Sequence, residues 1–370
     1  MKPIGIYLHV PFCRGKCPYC DFYSVSVTDS LLDAYTDETV RRIEALAKDS
    51  VTADTVYFGG GTPSLLGGRR IVRLLSALER CIHIENRAEI TAEANPSADL
   101  RDFLDGCAAA GVNRLSLGMQ TAVPQELAAL GRRHTVGDVC GTMEQARACG
   151  IDNLSLDLML GIPRQTAGSL AVSLECIRQQ APAHVSAYML KIEEGTPFYA
   201  MRHALHAADD DEAAALYEAA FEGLERMGYR QYEISNAARP GFEGRHNLHY
   251  WNGDEYIGIG PGAHSFFDGT RSFTDRNLAA YLRGEPPVYD GGGGDEAEYV
   301  MLRLRLADGL THDGLRERFG HGIPDALVAY AKNPALAQLC TYDGNAIRLT
   351  RKGFLLSNTL IGNFIHFLSP

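Results

Sequence analysis

The sequence predicts an α/β protein with a partial (β/α)6 barrel followed by a small C-terminal winged-helix-like α+β module. Roughly the first two hundred residues alternate short apolar segments with longer helical patterns, as parallel sheets with right-handed crossovers do. Glycines and polar residues follow several of these segments directly, at the strand ends where barrel enzymes collect their site residues. An open doubly wound sheet would carry a Gly-x-Gly-x-x-Gly turn, which is absent. We therefore expect a barrel.

The elements of the barrel follow from apolar periodicity and from the turn residues between the segments. The predicted strands are residues 4–10, 55–58, 89–92, 114–117, 153–158 and 185–190. The predicted helices between them are residues 31–47, 69–81, 98–110, 136–149 and 167–179.

Beyond the barrel the pattern changes, and we expect three parts in all. Residues 1–205 form the barrel and residues 206–290 an extension that completes the site. After the flexible Gly291-Gly292-Gly293-Gly294 run, residues 295–370 form the winged-helix-like module. In the extension we predict a helix at 210–227, a strand at 231–234, a loop at 236–254 and a strand at 256–267. The module has no obvious basic recognition helix, so we expect it to cover the barrel rather than bind DNA.

Charge and hydropathy exclude several classes of function. The 35 basic and 46 acidic residues give a net charge of -11, so we expect no nucleic-acid partner. The N-terminus lacks the features of a signal peptide, and no apolar stretch approaches the roughly 18 residues that span a bilayer. We expect a cytoplasmic protein without a transmembrane segment, and contact with a membrane surface stays open.

Three of the nine cysteines are concentrated in one short motif, Cys13-x3-Cys17-x2-Cys20. In a chain without an export signal this spacing predicts metal or redox chemistry rather than disulfides. Three thiolates fill three positions of a [4Fe–4S] cluster and leave the fourth iron open for a chelating ligand. Zinc is the alternative, but structural zinc commonly takes two cysteine pairs, and no second pair follows. We expect the other six cysteines to be buried free thiols.

The whole chain resembles the oxygen-independent coproporphyrinogen III oxidase group of radical-SAM proteins. The resemblance is carried by residues 7–13, the cysteine motif, Gly-Gly-Gly-Thr-Pro at 59–63, Glu-Ala-Asn-Pro at 93–96 and residues 258–267. It implies the radical-SAM barrel and S-adenosylmethionine beside the cluster, bound by Tyr7, Tyr19, Gly60, Gly61, Thr62 and Glu93. It further implies a second S-adenosylmethionine near Gln120, Arg132 and Asp157, with Lys191 and Ala263 or His264 as weaker matches.

This group has two branches, the oxidase itself and the HemW type, which binds haem and delivers it to respiratory proteins. Two features favour the HemW branch. Only twelve residues precede Cys13, whereas the oxidase carries a longer N-terminal arm. In addition, His246-Asn247-Leu248-His249-Tyr250-Trp251 matches the His-Asn-x-x-Tyr-Trp signature of the HemW branch.

The resemblance to HemW implies haem, a haem-acceptor protein and a one-electron donor as partners. Imidazole is a suitable axial ligand for haem iron and aromatic rings pack on the macrocycle. We therefore expect His246, His249, Tyr250 and Trp251 to bind haem, with the identity of the iron ligand open. A purely structural aromatic loop, the oxidase activity and cleavage of S-adenosylmethionine stay open as alternatives. Radical-SAM modification of RNA fits poorly with the acidic charge.

Overall fold

A computed structural model describes residues 2–46 and 51–368 of the chain. Its strands are β1 (Ile4–Val10), β2 (Phe12–Cys13), β3 (Val25–Ser26), β4 (Thr52–Gly60), β5 (His83–Ala94), β6 (Arg114–Gln120), β7 (Asn153–Leu160), β8 (His184–Met189), β9 (Arg230–Gln231), β10 (Asn236–Ala238), β11 (Tyr256–Ile259), β12 (His264–Phe267), β13 (Thr270–Phe273), β14 (Val288–Gly292), β15 (Leu310–Thr311), β16 (Cys340–Tyr342) and β17 (Ala346–Leu349). Its helices are α1 (Asp29–Ala45), α2 (Gly67–Cys81), α3 (Arg101–Ala109), α4 (Pro124–Ala129), α5 (Val136–Ala148), α6 (Ala167–Gln180), α7 (Pro197–Ala200), α8 (Asp210–Arg226), α9 (Arg245–Asn252), α10 (Leu278–Leu282), α11 (Glu296–Arg303), α12 (His312–Phe319), α13 (Asp325–Ala331), α14 (Arg351–Leu355) and α15 (Ser357–His366).

Six parallel strands, β1, β4, β5, β6, β7 and β8, are neighbours in chain order at the centre of a 12-stranded sheet. Each crossover leads to the next neighbour in the same direction, and right-handed crossovers of this kind put all the helices on one face. Among the described residues no ladder joins β1 to β8, because β1 pairs with β11 and β8 with β10. The predicted α/β class is confirmed, and this strand order is that of an open, partial (β/α)6 barrel.

The predicted barrel elements are all present, and the differences lie at their ends. Strand β1 has the predicted bounds, whereas β4 and β5 extend beyond theirs at both ends. Helix α1 begins two residues early, at Asp29, because the Thr28 hydroxyl accepts a hydrogen bond from the Leu31 amide at 3.3 Å. Residue 47, the predicted end of that helix, lies outside the described residues.

The segment after the barrel extends both edges of the sheet. Strands β11, β12, β13 and β14 continue it from β1, and β10 and β9 continue it from β8. The predicted strand at 256–267 is wrong: it is two antiparallel strands, β11 and β12, separated by Gly260 and Gly262 at positive φ. The predicted loop at 236–254 is also wrong, because it contains β10 and α9. Of the predicted strand at 231–234, only Gln231 is in a strand.

The C-terminal residues form five helices, α11 to α15, and a three-stranded sheet in the order β15-β17-β16. The glycine run that we predicted as a flexible boundary is partly structured. Gly291 and Gly292 end strand β14, and the Gly294 amide donates to Glu298 of α11 at 2.6 Å. Glu298 also pairs with Arg271 of β13, so the module is tied to the edge of the large sheet.

Hydropathy along the helices bears on membrane insertion. In the described parts of the chain, no helix combines the length and the apolar character that crossing a bilayer requires.

Candidate functional site

A cavity of about 520 Å³ lies at the carboxyl ends of the parallel strands. Its volume is within the range of small-molecule sites, about 300–1,000 Å³. Most of the residues predicted to hold the cluster and S-adenosylmethionine line this one cavity: Cys13, Cys17, Tyr19, Cys20, Gly60, Gly61, Thr62, Glu93, Gln120, Arg132, Asp157 and Lys191.

The cysteine loop lies at the mouth of this cavity. Cys13 belongs to β2, which pairs with β3 and so fixes the start of the loop. All three thiols are free and partly exposed, and the Cys13 sulfur lies 3.5 Å from the Thr62 hydroxyl. Burial raises the pKa of the Cys20 thiol, so formation of its thiolate is favoured only when a cation or metal compensates. Three free thiols facing one cavity fit a cluster with one open iron.

The glycine turn after β4 packs directly against the start of the cysteine loop. A Cβ atom on Gly61 would lie 2.6 Å from the Phe12 carbonyl oxygen, and the Gly61 amide donates to the Val10 carbonyl at 2.8 Å. Gly60 has a φ of 103°, and a Cβ there would lie 2.6 Å from the His9 ring. Only glycine allows this approach, so the turn presents backbone rather than side chains to the cavity.

Two acidic side chains line the cavity from strands β5 and β7, which lie on either side of β6. Glu93 of β5 accepts a hydrogen bond from the Tyr57 hydroxyl at 2.7 Å, and Asp157 of β7 accepts one from Ser116 at 3.2 Å. Burial raises the pKa of Glu93 to about 7 and that of Asp157 to about 6. A cationic or hydrogen-donating ligand would therefore stabilise the ionised form of both carboxyls.

A chain of hydrogen bonds links Arg132 to the rest of the cavity wall. The Arg132 guanidinium donates to the Tyr19 hydroxyl at 2.9 Å and to the Asn95 side-chain oxygen at 2.6 Å. Asn95 in turn donates to the Thr62 hydroxyl at 3.1 Å. Gln120, at a φ of 65°, accepts from the Tyr188 hydroxyl at 2.8 Å. The side chains that face the ligand space are thus held in place by their neighbours.

Three predicted ligand residues have less central positions. Lys191 is exposed and pairs with Glu193 at 2.6 Å. Tyr7 and His264 do not line the large cavity but an adjoining cleft of about 300 Å³, which shares Gly60 and Glu93 with it. Tyr7 lines the cleft together with Glu93, which also lines the cofactor cavity, so Tyr7 lies next to the predicted cofactor position. The placement of His264 gives no support to contact with S-adenosylmethionine.

The His-Asn-x-x-Tyr-Trp segment forms helix α9, which contacts β1 at Gly5, β4 at Thr55 and β5 at Glu89. The Glu89 carboxylate accepts hydrogen bonds from the backbone amides of Arg245 and His246, both at 3.1 Å. Gly253 closes the helix in the left-handed conformation. The segment looked like a loop because histidine, asparagine and aromatic residues are weak helix formers, and the capping carboxylate comes from a distant strand.

The two imidazoles of α9 are buried and hydrogen-bonded to neighbouring side chains. His246 is 1% exposed, with Nδ1 at 2.8 Å from the Thr55 hydroxyl and Nε2 at 2.8 Å from the Tyr250 hydroxyl. His249 is 8% exposed, and its Nε2 lies 2.6 Å from an Asp54 oxygen. The predicted ligation of haem iron by His246 or His249 finds no support in this geometry, because both rings are buried and each Nε2 atom already has a hydrogen-bond partner.

The other members of the segment are more accessible. Tyr250 lines the smaller cleft beside Tyr7, and Asn247 lines the cofactor cavity. Trp251 is partly buried beneath the Arg305 guanidinium, 5.7 Å from its ring, and does not line either cavity. Packing of Tyr250 on a ligand in the cleft stays a prediction, and the surroundings of Trp251 give no support to a haem contact.

Two families match parts of this chain, and several curated relatives match nearly all of it. Residues 7–177 match the Radical SAM superfamily, and residues 297–356 match the HemN C-terminal domain. The protein named heme chaperone HemW in Mycobacterium tuberculosis is 37% identical over 97% of this chain and 94% of its own length. Those of Bacillus subtilis and Haemophilus influenzae are 33% and 35% identical, each over 98% of its own length and 97% and 99% of this chain. The chain belongs to the HemW branch of the radical-SAM proteins.

A solved structure with the same architecture supports the fold of this HemW-branch chain. It is that of coproporphyrinogen III oxidase (HemN) from Escherichia coli, described as a radical SAM enzyme. The two superpose with a TM-score of 0.82 at 22% identity, over 99% of this chain and 90% of that one. At this identity the structural similarity is evidence for the fold alone.

Membership of the radical-SAM superfamily implies a [4Fe–4S] cluster and S-adenosylmethionine. The groups that line the cavity suit both, since three free thiols can bind the cluster and the glycine turn and Glu93 can bind S-adenosylmethionine. Several further side chains, not predicted from the sequence, complete the wall of the HemW-branch cavity: Tyr57, Asn95, Arg114, Ser116, Ser186 and Tyr188. A signal for them existed, because inward-facing residues alternate along a barrel strand. In β6 the wall residues Arg114, Ser116, Gly118 and Gln120 are every second residue.

Proposed function

We propose that this protein is a haem chaperone that holds a [4Fe–4S] cluster and S-adenosylmethionine, binds haem and delivers it to an acceptor protein. The observation that carries the proposal is the convergence of three free thiols, the glycine turn and Glu93 on one cavity. The haem-carrying part is supported by the names of the curated relatives.

In the proposed cofactor site, Cys13, Cys17 and Cys20 hold the cluster and leave one iron for S-adenosylmethionine. When bound, the reduced cluster supplies one electron for cleavage of S-adenosylmethionine, so a one-electron donor is a proposed partner. Glu93 accepts hydrogen bonds from the methionine amino group, and the backbone of residues 60–62 lies along the same part of the ligand.

A second S-adenosylmethionine is the proposed ligand of Gln120, Arg132 and Asp157. Arg132 is suited to a carboxylate, since its guanidinium presents paired donors. Asp157 is suited to a sugar hydroxyl or an amino group, since its buried carboxyl keeps free acceptor capacity. Tyr7 and Tyr19 belong to the proposed site of the first S-adenosylmethionine, where Tyr19 stacks beside the adenine. Lys191 is a peripheral member of the cavity.

The remaining partners follow from the same proposal. The acceptor is a haem-binding protein, and nucleic acid is not a proposed partner because the net charge is -11. We propose a cytoplasmic location, in keeping with a reduced cluster and free thiols.

The decisive experiment combines haem binding with an enzyme assay. Ferric haem is titrated into the anaerobically reconstituted full-length protein, and the loaded protein is mixed with apomyoglobin as a model acceptor. The same preparation is then assayed for conversion of coproporphyrinogen III to protoporphyrinogen IX.

We expect near-stoichiometric haem binding, transfer to apomyoglobin and no conversion. Sustained conversion would replace the chaperone function by the oxidase activity. Absence of any haem binding would remove the chaperone function as well.

A further inference from the structure

The smaller cleft, defined above by Tyr7 and His264, opens beside the cysteine loop at the carboxyl end of β1. Its wall includes His9, Tyr23, Tyr250 and Arg276. Phe22, two residues after the last cysteine of the motif, lines both this cleft and the cofactor cavity. A molecule lying in the cleft would therefore touch the wall of the cofactor cavity.

The cleft contains one imidazole that is exposed and one that is not. His9 is 7% exposed, with Nδ1 at 3.0 Å from the Tyr7 hydroxyl and Nε2 at 3.3 Å from the Tyr23 carbonyl oxygen. His264 is exposed, and its ring nitrogens have no hydrogen-bond partner among the described residues. Its ring lies beside that of Phe273, with 5.6 Å between the centroids. Strand β12 pairs His264 with Phe273 and so fixes its backbone.

An apolar and a cationic side chain line the same cleft as this imidazole. Phe22 is 63% exposed and presents an apolar face to the cleft. On the same cleft, Arg276 forms an exposed ion pair with Asp21 at 3.4 Å, a contact that contributes little to stability. A Cβ on Gly262 would lie 3.6 Å from the Arg276 side chain and 3.7 Å from Tyr23, so these walls approach closely.

We infer that haem binds across the mouth of this cleft with His264 as the axial ligand of its iron. The inference rests on the proposed haem-carrying function and names the site for it. Imidazole, aromatic faces and a guanidinium are the groups that a metallated macrocycle with propionates requires. At about 300 Å³ the cleft does not enclose a macrocycle, so the ring lies against its rim, on Phe22 and Tyr250, with a propionate on Arg276. A rim site also lets an acceptor protein reach the haem.

The test uses His264→Ala in the full-length reconstituted protein, with ferric haem as the probe. His83→Ala is the matched control, because His83 is also exposed but begins β5 at the opposite end of the barrel. We expect His264→Ala to weaken haem binding at least tenfold and to lose the Soret band of imidazole-ligated haem. Added free imidazole should restore that band, which a merely structural defect would not allow. The cluster absorbance should stay as in the wild type.

The outcomes separate this inference from the proposed function. If the wild type binds no haem, the chaperone function fails. If the wild type and both variants bind haem with the same spectrum, the function stands and His264 is not the ligand. Loss of affinity for S-adenosylmethionine in His264→Ala, with an unchanged haem spectrum, would return this residue to the cofactor site. Arg276→Gln should weaken binding of haem but not of haem dimethyl ester, and equal weakening of both would remove Arg276 from the site.

Discussion

The Tyr57 hydroxyl donates a hydrogen bond of 2.7 Å to the Glu93 carboxyl, linking neighbouring strands β4 and β5 inside the barrel. Both side chains are partly buried in the cavity wall, and burial raises the pKa of Glu93 to about 7. This carboxyl therefore keeps its proton to a higher pH than an exposed glutamate does. The hydrogen bond holds it in place, so that a ligand entering the cavity meets an oriented acceptor.

The first prediction concerns the effect of pH on cofactor affinity. Because amino-group donors prefer an ionised carboxylate, affinity for S-adenosylmethionine should rise as pH increases towards the Glu93 pKa and level off above it. Between about pH 6 and pH 8 we expect roughly a tenfold gain, measured by equilibrium binding to the reconstituted protein. Glu93→Gln should bind more weakly and lose most of this dependence. A variant that keeps the wild-type profile would assign the titration to another group, with Asp157 next in line.

The second prediction concerns the cluster ligands. Replacing Cys13, Cys17 or Cys20 by alanine should reduce iron well below the expected roughly four atoms per chain and remove the broad visible absorbance. Cys81→Ala is the control, since Cys81 lies at the end of α2, outside both cavities described above. Iron analysis and absorbance after anaerobic reconstitution check both. A normal cluster in any of the three motif variants would contradict the ligand assignment.

The third prediction tests the packing of the outer helices. Gly68 of α2 and Gly106 of α3 are in contact, because a Cβ on Gly106 would lie 2.2 Å from the Gly68 Cα atom. Gly106→Ala should lower the stability by about 1–3 kcal/mol, since the two helices must move apart. Gly141→Ala in α5, where a Cβ meets nothing within 4 Å, should raise it by about 0.5–1 kcal/mol. The free energy of unfolding of both variants is measured with denaturant. Equal changes in the two variants would mean that α2 and α3 can move apart without cost.

The fourth prediction separates structure from ligation in α9. His246→Ala removes two hydrogen bonds and the ring that stacks on Tyr57 at 5.1 Å, so stability should fall by about 2–4 kcal/mol. The Soret band of bound haem should keep its position, because the buried ring does not reach the iron. Thermal unfolding and haem spectra are measured side by side, with His83→Ala as the exposed control. Loss of the band with unchanged stability would restore His246 as the ligand.

Much of the barrel was predictable from local pattern. The strand with the predicted bounds, β1, is a buried apolar segment, and the cysteine motif follows it at fixed spacing. The position of polar residues after strands identified most of the cofactor wall, because parallel strands bring their carboxyl ends to one edge. Residues inside the strands, such as Tyr57 and Arg114, were missed because inward and outward positions differ only by alternation.

Distant contacts decided the rest. The sequence by itself determined the parallel α/β architecture and the cysteine loop, since periodicity and spacing are properties of neighbouring residues. Only the tertiary structure made residues 245–252 a helix, because Glu89 caps it from another strand, and only the tertiary structure buried His246 while leaving His264 exposed. Whether an imidazole is free or engaged depends on partners far away in the chain, and local sequence carries no record of them.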